Sequence, residues 1–183
     1  MINLVTIDST KYWVDVGFGP NCSVQPLPLK DGITATNIAP ASVRLQYRNI
    51  DQNTDPSQRL WCFEHRINDK SEWQEMYCFS EMEFLPSDYH LMNYYTSTSP
   101  KTWFTQRIVC SKMLLGGDEG DMVVGVVILQ NDLKRRMHGK TETQQVFESE
   151  EERLKALEDV FEIRFNQSER EGIQGMASAI KPR

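Results

Sequence analysis

Little in this sequence marks a metal centre. Three histidines and four cysteines are scattered over 183 residues. No C-x-x-C pair or histidine cluster brings ligands together at the spacing metal sites use, so neither a structural nor a catalytic metal is expected. Long apolar runs are also missing. The longest, Met122 to Leu129, is far shorter than the roughly 20 residues a helical membrane span needs. Positive charge is in deficit, with a net charge of -6, and this argues against nucleic acid or an anionic membrane as the main partner. No signal-like apolar stretch opens the chain, and the unpaired cysteines point to a reduced, cytoplasmic setting. Internal repeats and low-complexity segments are absent too.

What is present is enough for a globular core, since 39% of residues are hydrophobic and 25% charged. The organising stretch is Tyr12-Trp13-Val14-Asp15-Val16-Gly17-Phe18-Gly19. It reads as a strand that carries one carboxylate among apolar neighbours and breaks at a Gly-Phe-Gly turn. Aspartate is depleted in strands and costs free energy in a core unless hydrogen-bonded or paired. Either turn amides satisfy Asp15, or it orients a histidine as the third member of a nucleophile, base and orienter triad.

Ile2 to Asp8 forms the preceding arm of a hairpin with Tyr12 to Val16, and Pro26 to Leu29 is a proline-punctuated connection. Period-two alternation predicts strands over Ser42–Arg48 and Leu60–Arg66, with a third over Trp73–Phe79. His65 reads as a solvated strand residue. Ser87-Asp88-Tyr89 caps a short helix through Asn93, ended by the hydroxyl-rich turn Thr96-Ser97-Thr98-Ser99-Pro100. Residues 106–114 and Met122–Leu129 make a further hairpin, in which Gly125 signals the close approach of another backbone. Asn131 to Lys140 concentrates Lys134, Arg135, Arg136 and Lys140. It is read as a solvated hairpin loop, the other reading being a hold on nucleotide phosphates. Ser149-Glu150-Glu151-Glu152 opens a helix running to about Ile163, with Leu154, Leu157, Val160 and Phe161 on one face.

Val14-Asp15-Val16-Gly17-Phe18-Gly19 followed by Pro26-Leu27-Pro28-Leu29 resembles the aspartate segment of the arylamine N-acetyltransferases, particularly the fungal members. Met92-Asn93-Tyr94-Tyr95-Thr96-Ser97-Thr98-Ser99-Pro100 with Phe104, then Asn131-Asp132-Leu133-Lys134-Arg135-Arg136, and the glutamate-rich helix reaching Phe161-Glu162-Ile163, are similar to its later segments. The resemblance implies a Cys-His-Asp triad that moves acetyl from acetyl-CoA to an arylamine or hydrazine acceptor, with Asp15 as the carboxylate. It further implies that Thr98, Ser99 and Thr102 contribute to the cleft where CoA phosphates bind, although the same hydroxyls could merely satisfy their own turn. The fold it implies is α+β: an antiparallel, barrel-like portion over 1–85, then an α/β lid with a C-terminal helix over 86–183.

The family's Arg-Gly-Gly-x-Cys segment does not occur in these 183 residues. The strand register of Val5 to Asp8 would put the triad histidine just before Met1. Cys22 lies near Asp15 in sequence, yet no histidine falls within forty residues of it to draw off its proton. The expectation is a truncated, inactive form of the transferase, possible self-association through an exposed sheet edge included. The alternative is a non-catalytic remnant that binds CoA or a protein.

Overall fold

The computed structural model describes residues 1–180. Lys181, Pro182 and Arg183, the end of the second expected segment, lie outside the described residues. Among the described residues, three antiparallel sheets and four helices make the fold α+β. Two compact units divide the chain: residues 1–83 with 116–124, and residues 84–115 with 125 onwards.

In the first unit, β1 (Asn3–Ile7), β2 (Thr10–Val14) and β3 (Leu27–Pro28) form one sheet in that order. Asp8 and Ser9, both at positive φ, make the tight β1–β2 turn, the backbone sign whose right-handed twist suits a two-residue hairpin. The proline-punctuated segment expected as a connection thus includes a short strand. Proline is tolerated there because β3 is an edge with only β2 beside it. The second sheet runs β4 (Thr34–Thr36), β5 (Ser42–Arg48), β6 (Leu60–Arg66) and β7 (Gln74–Phe79). The two sheets share one core of Trp13, Leu27, Val43, Leu45, Trp61 and Phe63. Trp13 is fully buried at its centre and stacks on Phe63 at 4.7 Å between ring centroids.

Strand β6 has neighbours on both sides and is buried on both faces, which corrects the reading of His65: the imidazole is only 3% exposed. On the opposite face of β6 the buried Glu64 carboxylate takes Arg44 at 2.5 Å and Arg48 at 3.0 Å. The Arg44 and Arg66 guanidinium groups each stack on the Trp73 ring. A buried charge persists in such a place only when paired in this way.

The second unit opens with α1 (Pro86–Thr98) and α2 (Trp103–Gln106). The helix expected to stop near Asn93 continues a full turn further. Thr96, Ser97 and Thr98 donate their hydroxyl protons to the carbonyls of Met92, Asn93 and Tyr94, so these side chains bond within the helix rather than break it. At its start Leu85 occupies the cap, two residues before the serine-led cap expected, and the Asp88 carboxylate accepts the Leu85 amide at 2.8 Å.

The third sheet is ordered β11 (Lys140–Val146), β10 (Asp132–Met137), β9 (Met122–Leu129) and β8 (Cys110–Gly116). The basic segment read as a loop is therefore strand β10, and only His138 and Gly139 form the turn. Pairing on both sides, β9 and β11, overrides the loop-like charge density of Lys134 to Arg136. Gly125 is explained as expected, since a Cβ there would sit 2.7 Å from the Arg136 carbonyl oxygen on β10. Helix α3 (Glu150–Phe161) buries Ala156 and Leu157 with Val127, Leu129 and Leu133 of this sheet and with Phe147 just beyond β11. Ser149 caps it by accepting the Glu152 amide, as read from the sequence. Arg153 is 1% exposed on α3, bonded to Glu150, to Asn131 and to the Ser178 carbonyl, and Glu150 also accepts the Ile180 amide. Short helix α4 (Gln167–Glu171), absent from the sequence reading, precedes this tethered tail.

Candidate functional site

Asp15 lies one residue beyond β2, whose pairing with β1 and β3 carries Trp13 into the core and delivers the next carboxylate to the rim of that core. The side chain is 9% exposed. Its Oδ1 accepts the Gly17 amide at 2.8 Å, and its Oδ2 accepts a short hydrogen bond from the Tyr77 hydroxyl. Of the two sequence readings, the turn amide is seen: Gly17 satisfies one oxygen of Asp15, and the Tyr77 hydroxyl satisfies the other.

The surroundings of Tyr77 are aromatic. The Gly17 and Gly19 flanks let Phe18 fold back so that its ring sits 4.8 Å from Tyr77 and 6.3 Å from Phe63. Gly19 adopts φ +96°, which only glycine takes without strain. Tyr77, on β7, lies 62 residues from Asp15 along the chain, and no local sequence signal points to it. A carboxylate has about four lone-pair sites, and two donors leave room for a third, such as an imidazole N–H.

Cys22 also reaches this place. Its thiol donates to the Asp15 backbone carbonyl at 2.9 Å, while the buried Asn37 pins the loop by accepting the Val24 amide and donating to the Cys22 carbonyl. Burial first, and the Asp15 charge second, push the Cys22 thiol up from its ordinary 9.0 to about 11. That is opposite to what a nucleophilic cysteine needs. Tyr77 is pushed up as well, by burial and then by its bond to Asp15.

These two groups predict alkaline lability. A folded-state value above the ordinary one means that the protonated thiol supports the fold in full below pH 9 and ceases to do so as pH rises through 11. Urea melts across that window should lose about 2 kcal/mol from this thiol by its upper end. Cys22→Ala should flatten the slope, whereas an equally steep loss in that variant would count against the assignment.

Thr98, Ser99 and Thr102 belong to the second unit. Thr98 donates to Tyr94 and Thr102 to the Thr96 and Ser99 carbonyls, whereas the Ser99 hydroxyl accepts the Lys101 amide at 3.3 Å. Among the described residues, no group of three or more His, Cys, Asp or Glu side chains is arranged to hold a metal ion, and no helix is long and apolar enough to cross a membrane.

A family profile described as N-acetyltransferase matches residues 1–170. The N-malonyltransferase FDB2 of Gibberella moniliformis is 34% identical over 180 residues, a match covering 94% of this chain and 52% of that protein. Human arylamine N-acetyltransferase 1 is 31% identical over 169 residues, covering 87% of this chain and 56% of the human one. The chain thus spans about half the length of the curated relatives it matches. In fold it is similar to the arylamine N-acetyltransferase of Mycobacterium abscessus, with a TM-score of 0.75 and 20% identity over 93% of this chain and 56% of that one. The Mycobacterium marinum arylamine N-acetyltransferase, solved in complex with CoA, gives a TM-score of 0.71 at 22% identity over 93% of this chain and 58% of that one.

Proposed function

The chain belongs to the arylamine N-acetyltransferase family, and on that premise we propose that its residues supply the carboxylate of a Cys-His-Asp triad for acyl transfer from a CoA thioester to an arylamine or hydrazine nitrogen. The observation that carries this reading is Asp15: a buried carboxylate held by the Gly17 amide and the Tyr77 hydroxyl at the end of β2. A fixed anion there would hold an imidazole in one tautomer and stabilise the imidazolium formed when a cysteine loses its proton to it. The acyl group then passes through a thioester, which splits one difficult displacement into two easier ones.

By themselves the 183 residues lack the other two members. Burial pushes the thiols of Cys22, Cys62 and Cys110 up rather than down, and an orienting carboxylate alone contributes little. The purified chain, incubated with acetyl-CoA and an aromatic amine, is therefore expected to show no turnover above an Asp15→Asn control. Turnover that depends on Asp15 would overturn the inactive reading, and CoA binding by calorimetry without turnover would favour a non-catalytic binding role.

The Ser99 hydroxyl, with Thr98 and Thr102 shaping the turn around it, would donate to a CoA phosphate. The barrel-like arrangement of the first two sheets and a cytoplasmic setting complete the proposal. Edge strand β1 exposes Val5 and Ile7, which supports self-association through that edge. A second reading concerns the acyl group. Relatives at 34% identity are named N-malonyltransferases, so parallel assays of an assembled enzyme with malonyl-CoA and acetyl-CoA decide which thioester is the donor.

A further inference from the structure

Strands β6 and β7 run antiparallel, and their register sets Cys62 directly opposite Cys78. Residues opposite one another in such a ladder have Cα atoms about 4.5 to 5.5 Å apart, within the roughly 4.4 to 6.8 Å that a disulfide bridges. Opposed residues also project to the same face. Here it is the face away from Trp13, shared with Gln46 on β5. The two thiols are free and differ in access, Cys62 being 3% exposed and Cys78 open to solvent. We propose that Cys62 and Cys78 are a redox modification site, closing reversibly into a cross-strand disulfide when a peroxide reaches Cys78.

The chemistry needs one oxidant, hydrogen peroxide or an organic hydroperoxide. The exposed Cys78 thiolate attacks a peroxide oxygen, the O–O bond breaks, and Cys78 becomes a sulfenic acid with release of hydroxide or alkoxide. The Cys62 sulfur then displaces the sulfenic oxygen as water, so that two thiols lose two electrons and two protons to form one S–S bond. Burial pushes the Cys62 thiol up, but the Arg48 guanidinium, anchored by Glu64 and Glu75, acts on the sulfur in the opposite sense and favours its thiolate at the moment of attack. This division of labour, an open thiol that meets the oxidant and a covered one that resolves it, protects Cys78 from oxidation past the sulfenic stage. The bond would also staple to β6 the strand whose Tyr77 holds Asp15. The proposal is independent of the acyl-transfer reading.

The test treats the purified chain with hydrogen peroxide and follows intact mass, free thiols and a non-reducing digest. Expected are the loss of two hydrogens, a fall from four free thiols to two, one cross-linked peptide pair joining Cys62 to Cys78, and full reversal by dithiothreitol. Thermal melting of the oxidised protein should shift upward. Cys78→Ser, at an exposed position, should retain the fold and show neither mass loss nor shift, and Cys62→Ala should instead let Cys78 proceed to sulfinic acid. Overturning results are a wild-type chain whose Cys78 reaches sulfinic acid with Cys62 still free, a cross-link to Cys22 or Cys110, or two-hydrogen loss that persists in Cys78→Ser.

Discussion

In an enzyme that joins these residues to a cysteine and a histidine, Asp15→Asn is expected to lower kcat by about 10⁴-fold, the scale of losing a triad carboxylate while its geometry is kept. The asparagine oxygen could still accept the Gly17 amide at Oδ1. Its amide nitrogen, however, would replace the oxygen that accepts from Tyr77. That nitrogen is a donor, and it meets an imidazole with a donor where the reaction requires an acceptor, so the wrong tautomer is favoured and no anion faces the imidazolium. Tyr77→Phe makes a graded companion. It deletes one hydrogen bond to a charged group, worth about 1.5 to 3 kcal/mol, and frees the carboxylate to rotate without removing its charge. A fall in kcat of about 10- to 100-fold with an unchanged amine KM is the expected signature. An Asp15→Asn enzyme within tenfold of its parent would remove Asp15 from the mechanism.

The second large effect is on stability. Trp13→Ala should cost about 3 to 5 kcal/mol, as truncation of a fully buried large aromatic does. Trp13 is 0% exposed, faces Phe63 at 4.7 Å, and lies 6.5 Å from both Tyr77 and Phe79. It also occupies the middle of its sheet, between Leu4 and Leu27 on the flanking strands. The backbone pairings on both sides hold the flanking strands apart, so the space can be filled only by rearranging neighbouring side chains. With typical net stabilities of about 5 to 15 kcal/mol, the first unit would become marginal. Urea unfolding followed by circular dichroism measures this, and a loss below about 1 kcal/mol would show that the core seen here does not support the fold.

The contrast between what could and could not be read follows the range of the forces involved. Strand β5 and helix α3 were legible because a buried face imposes its period on nearby residues, from Val43 and Leu45 to Ala156 and Leu157. Strand β11 was not, since all seven of its residues are exposed and no face had to be apolar. For β10, ladder pairing with two neighbours outweighs what Lys134, Arg135 and Arg136 suggest locally. The Thr96 to Thr98 run misled for a related reason, because its hydroxyls bond one turn back along α1 and let the helix continue.

Residue order alone determined which side chain stands out: a carboxylate placed after Trp13 and before a Gly-Phe-Gly turn, in a segment resembling one family's. Tertiary structure alone decided what holds that carboxylate, because its partner Tyr77 arrives from 62 residues away. It likewise decided that His65 is buried and that Cys62 faces Cys78. Local sequence carries the period of a burial pattern. Contacts across strands depend on register, which only the assembled sheets set.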